Sequence, residues 1–281
     1  MSTSAGTMSQ HKTGSGLSLP QTDLIATRIE RREGGNVAYV TVTNEARRNA
    51  LPVEGRLALA NTMKVIGHDP ELRVVVLSGA GDKSFIGGAN INEMSVFPDP
   101  VTAEEGSRTT HLAGDAIRRV PVPVIARING YCLGAGMEIA ASCDMRVASD
   151  NAMFGMPEVK YGLPSGMEAC LLPRLIGWGK AQELVFTGEM ISAQEAHQWG
   201  FVQRLVTQEK LDEATERWVS SILAAGPIAI RIQKELNRDW ERMSIADSVQ
   251  QGIRAVGRAH TTGEPRRMME AYLAKRLKKV K

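Results

Sequence analysis

Two glutamates lie beside a glycine-rich turn in the central part of the chain. Residues 129–158 read NGYCLGAGMEIAASCDMRVASDNAMFGMPE, and their glutamates are Glu138 and Glu158. Glu138 follows Gly134-Ala135-Gly136 in a run of good helix formers. The first amides of such a helix have no intrahelical partner and lie at its positive end, which suits a developing oxyanion. Two carboxyls beside such donors indicate acid–base chemistry at a carbonyl compound.

Each feature also has an ordinary structural explanation. A glycine-rich turn before a helix is most often only a tight turn. The helix dipole favours a glutamate in the first helical turn in any protein, and Glu158, which follows Pro157, fits an ordinary loop carboxylate. Spacing alone therefore leaves both explanations open.

The central segment, from Ile125 to Glu158, resembles that of the enoyl-CoA hydratase/isomerase (crotonase) superfamily. With its flanking motifs, the resemblance covers about residues 23–281. Hydratases of this superfamily keep both glutamates, whereas many relatives with other reactions keep one or neither. The resemblance therefore implies that Glu138 and Glu158 are the catalytic residues.

A second glycine-rich turn follows residues 72–77, a valine-rich run that predicts a buried strand. The turn, SGAGDKSFIGGANINEM at residues 78–94, resembles the superfamily motif F-x-x-G-A-D-I-K-E-M/L. The resemblance places the two oxyanion donors on the backbone N–H groups of Ala89 and Ala135. Asn90 and Asn92 stand where aspartate and lysine are common, and the second change weakens an expected contact to coenzyme A (CoA).

Residues 44–51, NEARRNAL, resemble the N-R-P-x-x-x-N-A-L loop that holds the adenine end of CoA in this superfamily. Guanidinium groups match phosphate oxygens, so Arg47 and Arg48 suit the CoA phosphates, although simple solvation explains them equally well. No cofactor is expected beyond CoA as part of the substrate. The residues expected to bind CoA or substrate are Arg47, Ala50, Gly88, Asn90, Ile91, Gly134 and Gly166.

The largest departure from the superfamily pattern follows Glu158. The usual L-G-x-x-P-G-A-G-G-T-Q-R-L is replaced by YGLPSGMEACLLPRL at residues 161–175, without the double glycine and with Arg174 about two positions late. This change bears on substrate specificity. Glu168 adds a carboxylate nearby, which we expect on a helical surface.

Alternating and helical periodicities predict the surrounding elements, and strands that alternate with helices favour crossover units. The resemblance implies an α/β fold, a crotonase (ClpP-like) spiral of β-β-α units with a C-terminal helical trimerisation region. Ser192 and Glu195 form a predicted capping box. The predicted strands are residues 23–31, 36–43, 72–77 and 122–128. The predicted helices are residues 53–68, 103–118, 210–224, 227–240, 243–258 and 264–279.

Three regions are predicted along the chain. Residues 1–22, rich in Ser, Thr and Gly, are expected to be a disordered tail, residues 23–208 the spiral core with the active site, and residues 209–281 a helical oligomerisation region. The terminal helices present more apolar surface than a small appendage buries on itself, and closed symmetry buries such a surface. The resemblance selects a homotrimer or a dimer of trimers.

Composition narrows the class of protein. The chain of 281 residues has 43% hydrophobic residues but no apolar run of about 18, so no membrane partner is expected. Three cysteines without a CxxC pattern favour reduced thiols and a cytoplasmic location. Five histidines without ligand-like spacing favour no metal. A net charge of +3 is too small to imply nucleic acid, and 5% aromatic residues offer few stacking platforms.

The predicted function is hydration of a 2,3-unsaturated acyl-CoA to the 3-hydroxyacyl-CoA. One proton is taken from water and one is delivered to the adjacent carbon, which accounts for two carboxyls. Glu138 is expected to take the proton of the water and Glu158 to protonate the α carbon. The alternatives are an isomerase, which needs one base, an acyl-CoA hydrolase, and, through the basic residues of 264–281, an RNA-binding relative.

Overall fold

The computed structural model describes residues 22–279, and within them the chain forms a mixed α/β fold. Two 3-10 turns matter for the site, the Glu158 turn (Pro157–Tyr161) and the Glu168 turn (Met167–Leu171). The strands are β1 (Ile25–Arg32), β2 (Gly35–Val42), β3 (Leu72–Gly79), β4 (Ser84–Ile86), β5 (Val124–Ile128), β6 (Tyr131–Leu133), β7 (Met145–Ser149), β8 (Met153–Gly155), β9 (Met190–Ser192) and β10 (Arg204–Val206). The helices are α1 (Val53–Gly67), α2 (Ile91–Met94), α3 (Pro100–Arg119), α4 (Ala135–Ser142), α5 (Leu172–Ile176), α6 (Trp178–Thr187), α7 (Ala193–Gln198), α8 (Leu211–Ala224), α9 (Pro227–Trp240), α10 (Ile245–His260) and α11 (Glu264–Lys279).

The strands form two sheets, and strands β3 to β8 alternate between them. The larger sheet has the order β1-β2-β3-β5-β7-β10, and the smaller has the order β4-β6-β8-β9. Each of the pairs β3–β4, β5–β6 and β7–β8 gives its first strand to the larger sheet and its second to the smaller, so the chain winds as a spiral. Within the sheets, β1–β2 and β8–β9 are antiparallel and the other neighbours are parallel. The predicted α/β spiral is confirmed.

The larger sheet is buried on both faces. In β3, Val75 and Leu77 join the main core together with residues of α1, α3 and α4. Val74 and Val76 point to the opposite face and pack with Leu211 of α8. Because successive residues of a strand point to opposite faces, burial on both faces explains why β3 reads as a continuous apolar run.

Most predicted elements are confirmed with shifts of a few residues at their ends. Helix α3 begins at Pro100, three residues earlier than expected, because Asp99 caps it by accepting a hydrogen bond from the Thr102 N–H (2.9 Å). The capping box is present, with Glu195 N–H donating to Ser192 Oγ (3.2 Å) and Ser192 N–H donating to Glu195 Oε2 (2.8 Å). The predicted tail, residues 1–22, lies outside the described residues except for Thr22.

The C-terminal helices are joined by a buried glutamate. Glu264, at the start of α11, accepts hydrogen bonds from the N–H groups of Ile228 (3.0 Å) and Ala229 (2.9 Å) in the first turn of α9. This carboxylate supplies acceptors for free amides at a positive helix end. None of the helices among the described residues combines the length and hydropathy needed to cross a bilayer.

Candidate active site

Three neighbouring parallel strands of the smaller sheet carry the predicted site at their carboxyl ends. Strand β4 leads to Ala89, β6 leads to Ala135 and Glu138, and β8 leads to Glu158. Because parallel neighbours end at the same edge of a sheet, these residues, distant in sequence, meet at one edge. A hydrogen bond from Gly134 N–H to the Gly155 carbonyl oxygen (2.9 Å) ties two of these strand ends together.

Glycines let the three turns approach one another. Gly134, the residue before α4, has a φ of +51°, and a Cβ atom there would lie 2.5 Å from Oε1 of Glu158. Gly136 lies directly against the carbonyl oxygen of Ile86, which leaves no room for a side chain. The Gly-Ala-Gly pattern is therefore required by the close packing of α4 against β4 and the Glu158 turn.

The backbone N–H groups of Ala89 and Ala135 donate no hydrogen bond within the described residues. Ala135 is the first residue of α4, where the first helical hydrogen bond runs from Glu138 N–H to the Gly134 oxygen (3.0 Å). Leu51 bonds to both neighbours of Ala89, donating to the Gly88 oxygen (2.9 Å) and accepting from Asn90 N–H (3.2 Å). Among residues 22–279, neither the Ala89 nor the Ala135 N–H has an acceptor. Two free donors at a strand end and a helix start can stabilise an oxyanion.

Glu138 is a buried carboxyl in the first turn of α4. Its Oε1 accepts a hydrogen bond from Ala169 N–H (3.2 Å) in the Glu168 turn. Burial, reinforced by the negative charge of Glu158, raises the pKa of Glu138 to about 8, and the Ala169 hydrogen bond acts in the opposite direction. A carboxyl of this kind holds a proton at neutral pH and can exchange it during a reaction.

Glu158 is half-buried and lies against Gly134. Burial raises its pKa, and the hydrogen bond that its Oε2 accepts from Ser165 Oγ (2.8 Å) opposes this shift. Neighbouring carboxyls of unequal burial titrate as a pair and hold one proton between them over a range of pH. Together, Glu138 and Glu158 can both take and deliver a proton.

A buried arginine near Glu138 was not predicted from the sequence. The Arg56 guanidinium donates to Thr109 Oγ1 (2.7 Å), the Leu51 oxygen (2.9 Å) and the Gly106 oxygen (3.2 Å), and its positive charge lowers the pKa of Glu138. Arg56 thus ties α1 to α3 behind the site. One sequence signal was available, because Arg56 lies on the apolar face of α1, three positions before Leu59.

The expectation that Glu168 lies on a helical surface is wrong. Its side chain is buried, and its Oε1 lies 2.7 Å from Nδ1 of His111 on α3. The residue belongs to a 3-10 turn, so helical periodicity could not assign its face. Sequence reasoning also missed Ser165 and Ala169, which contact Glu158 and Glu138, because Ser165 lies in a loop and Ala169 in the same 3-10 turn as Glu168, where no periodicity assigns a face.

Comparison with known proteins agrees with this geometry. The sequence model described as enoyl-CoA hydratase/isomerase matches residues 32–280, most of the chain. The chain belongs to the enoyl-CoA hydratase/isomerase family. Its fold agrees as well, since the crystal structure of an enoyl-CoA hydratase from Bacillus anthracis superposes with a TM-score of 0.85 at 30% identity, over 90% of this chain and 96% of the other.

Relatives within the enoyl-CoA hydratase/isomerase family include named hydratases. A short-chain-enoyl-CoA hydratase of Clostridium acetobutylicum is 35% identical over 246 residues, which cover 86% of this chain and 93% of the relative. An (E)-benzylidenesuccinyl-CoA hydratase of Thauera aromatica is 38% identical over 205 residues, 71% of this chain and 78% of the relative.

The structure brings only some of the residues that are expected to bind CoA or substrate to the sheet edge that carries the two amides. The hydrogen bond from Gly87 N–H to the Arg48 oxygen (2.9 Å) holds residues 44–51 against the Ala89 turn. Ala50, Gly88, Asn90 and Gly134 therefore lie beside the free amides, whereas Arg47 and Ile91 are exposed near that edge and Gly166 precedes the Glu168 turn. Binding of CoA by these residues stays a prediction.

Proposed function

We propose that this protein is an enoyl-CoA hydratase that adds water across the 2,3 double bond of an acyl-CoA to give the 3-hydroxyacyl-CoA. The observation that supports this most directly is the pair Glu138 and Glu158, both with raised pKa, beside two free amides at one sheet edge. The hydratase relatives support the same reaction class. Addition of water changes no oxidation state, so the proposed reaction needs no redox cofactor.

The free amides act on the thioester. Its carbonyl oxygen accepts hydrogen bonds from the N–H groups of Ala89 and Ala135, which withdraw electron density from the conjugated double bond and stabilise the enolate-like state that follows attack by water. These donors are held by the backbone before the substrate arrives, so little reorganisation opposes the reaction. Each contributes through its backbone, which explains why small side chains suffice at both positions.

The carboxyls move the two protons. With the expected roles, ionised Glu138 takes a proton from water and protonated Glu158 delivers one to the α carbon. The more buried Glu138 has its pKa raised to about 8, so in the unliganded protein the shared proton resides on Glu138. This protonation state suits the reverse reaction, dehydration of the 3-hydroxyacyl-CoA, which needs Glu138 protonated and Glu158 ionised. Hydration then begins after the proton passes from Glu138 to Glu158 through the water between them.

The test is turnover of crotonyl-CoA, followed by loss of the absorbance of its thioester-conjugated double bond and by the mass gain of one water. A 3-enoyl-CoA substrate tests isomerase activity on the same scaffold, and release of free CoA thiol tests hydrolysis. An isomerase needs one base, so the presence of two carboxyls with raised pKa favours hydration. Conversion of the 3-enoyl-CoA or release of thiol without hydration of crotonyl-CoA would overturn the proposed function.

We also propose that the protein is a homotrimer or a dimer of trimers. The support is an apolar stripe on α10, formed by Ile245, Val249, Ile253 and Val256, which is exposed in the single chain. Contiguous exposed apolar surface of this kind is typical of an interface, and closed symmetry is the usual way to bury it. A cytoplasmic location and the lack of nucleic-acid, membrane and metal partners stay predictions from the sequence.

A further inference from the structure

Glu168 is a third carboxylate behind the catalytic pair, outside the set that the proposed reaction uses. Nδ1 of His111 lies 2.7 Å from its Oε1, whereas its buried Oε2 has no hydrogen-bond partner among the described residues. A buried carboxylate oxygen without a partner costs free energy of folding. A buried group that costs stability in this way is a candidate for a role other than stability.

Helix α3 supplies both the partner of Glu168 and the space for it. His111 and Gly114 are three positions apart, so they lie on one face of the helix. A Cβ atom on Gly114 would lie 2.7 Å from Cδ of Glu168. The carboxylate therefore fits only because α3 carries a glycine opposite it.

The backbone of the Glu168 turn contacts Glu138. The Ala169 N–H is shared between the Gly166 oxygen (2.8 Å) and Oε1 of Glu138 (3.2 Å). Met167, the residue before Glu168, has a φ of +38°, which is uncommon for a residue with a side chain. Such a conformation persists only where surrounding contacts hold it. The buried side chain of Glu168, the next residue, is such a contact.

We propose that Glu168 is a positioning residue for Glu138: its pair with His111 holds the Glu168 turn in the conformation in which the Ala169 amide contacts the Glu138 carboxyl. Glu168 does not touch the reacting atoms in this arrangement. It links α3 to the acid–base pair through one backbone amide. The inference rests on the proposed hydration, whose rate it is expected to control.

The charge of Glu168 also acts on Glu138 directly. The negative charges of Glu158 and Glu168 raise the pKa of Glu138, and the positive charge of Arg56 lowers it. Removal of the Glu168 charge should therefore lower the pKa of Glu138. Loss of the Ala169 hydrogen bond would raise the pKa of Glu138 instead, so the direction of the shift separates the charge of Glu168 from its effect on the turn.

The groups that face Glu168 itself come from α3. Burial raises the pKa of Glu168, and the charge of Asp115 adds to this shift, whereas the hydrogen bond and charge of His111 and the charge of Arg118 oppose it. Among the groups that oppose the shift, the His111 hydrogen bond does the most to favour the ionised form of Glu168. Loss of His111 would leave the Glu168 carboxylate without its hydrogen-bond partner.

The experiment compares Glu168→Ala and Glu168→Gln in the full-length protein with crotonyl-CoA. Glu168→Ala should lower kcat roughly 10- to 100-fold with little change in KM, because a misplaced catalytic group loses transition-state stabilisation rather than binding. Glu168→Gln keeps the shape but removes the charge. We expect it to keep most of kcat and to shift the limb of the kcat–pH profile that reports Glu138 to lower pH.

Glu264→Gln is the matched control. Glu264 is also a buried glutamate, but it caps α9 away from the site. Its loss should lower the melting temperature without moving the pH profile. A shift of that limb in Glu264→Gln as large as in Glu168→Gln would overturn the assignment.

His111→Ala keeps the proposal testable if Glu168→Ala fails to fold, because His111 is largely exposed. We expect His111→Ala to lower kcat, and His111→Ala combined with Glu168→Gln to recover activity, since a neutral amide does not need the imidazole. Wild-type kcat and pH profiles in His111→Ala and in both Glu168 variants would overturn the inference.

A separate measurement distinguishes this inference from the proposed function. The ionisation of Glu138 can be followed by ¹³C NMR of protein labelled at glutamate carboxyls, with Glu138→Gln identifying the signal. If the wild-type protein does not hydrate crotonyl-CoA, the proposed function fails, and the titration alone decides the inference. An unchanged Glu138 titration in Glu168→Gln would then overturn it.

Discussion

The edge of the smaller sheet and the outer face of α10 differ in whether the same chain supplies contacts to their side chains. At the sheet edge, one chain supplies a partner for each carboxyl that is predicted to be catalytic, Ala169 N–H for Glu138 and the Ser165 hydroxyl for Glu158. The stripe on α10 is left open, with exposed fractions of 85% for Ile245, 54% for Val249, 61% for Ile253 and 61% for Val256.

This difference separates two requirements of the protein. The backbone and side chains of a single chain assemble the predicted acid–base pair and the predicted oxyanion donors. The apolar stripe would be covered only in the proposed assembly. Burial of an apolar side chain is worth roughly 1.5–3 kcal/mol, so the four residues of the stripe can stabilise an assembly substantially. The chemistry is expected to depend on the sheet edge and the assembly on α10.

The largest expected effect tests the sheet edge. Glu138→Gln and Glu158→Gln should each lower kcat for crotonyl-CoA by roughly 10²- to 10⁴-fold, the contribution of a general acid or base. The dissociation constant of saturated butyryl-CoA, measured by calorimetry, should change little, because neither carboxyl holds the thioester. Full hydratase activity in Glu138→Gln would exclude Glu138 from the acid–base chemistry.

The next prediction tests the amide of Ala135. Ala135→Pro removes one oxyanion donor and should lower kcat roughly 10²- to 10³-fold. Because Ala135 is the first residue of α4, where proline is tolerated, the helix should persist, and circular dichroism checks this. Ala135→Gly keeps the N–H and is the control with nearly unchanged activity. A folded and fully active Ala135→Pro would exclude this amide from the reaction.

The third prediction tests the other side of the comparison. Ile253→Glu places a charge in the middle of the α10 stripe and should convert a trimer or hexamer to smaller species in sedimentation at micromolar concentration, because a buried unpaired charge is costly. Gln250→Glu, exposed on the same helix but outside the stripe, should leave the assembly unchanged. Sedimentation of the wild-type protein as a monomer would contradict the proposed assembly.

The smallest expected effect concerns how the melting temperature depends on pH, which reports the burial of the Glu138 carboxyl. Its pKa is raised from 4.5 to about 8, so the folded protein keeps a proton that the unfolded chain loses. The resulting stabilisation is complete below pH 4.5 and is lost as the pH rises through 8. Glu138→Gln cannot ionise, so its melting temperature should fall less than that of the wild type between pH 5 and pH 9, by at least about 3 °C. Parallel melting curves over this range would argue against the raised pKa.

Much of this arrangement could be predicted from local patterns. The valine-rich run of β3, the helical spacing of α1 and the four C-terminal helices follow from periodicity, and all are confirmed. The resemblance placed the oxyanion donors on Ala89 and Ala135. The structure brings both amides to one sheet edge, and neither has an acceptor within residues 22–279. Their role as donors stays a prediction.

The sequence by itself determined the elements and the small residues at the turns, because a turn with positive φ or a close backbone approach restricts side-chain choice locally. Only the tertiary structure decided that Glu168 is buried against Gly114, that the charge of Arg56 acts on Glu138 and that burial raises the pKa of Glu138 to about 8. These properties depend on burial and on charges from residues that are far away in the chain. His111 and Glu168, for example, are 57 positions apart. Sequence spacing carries no information about such distances until the strands and helices are packed.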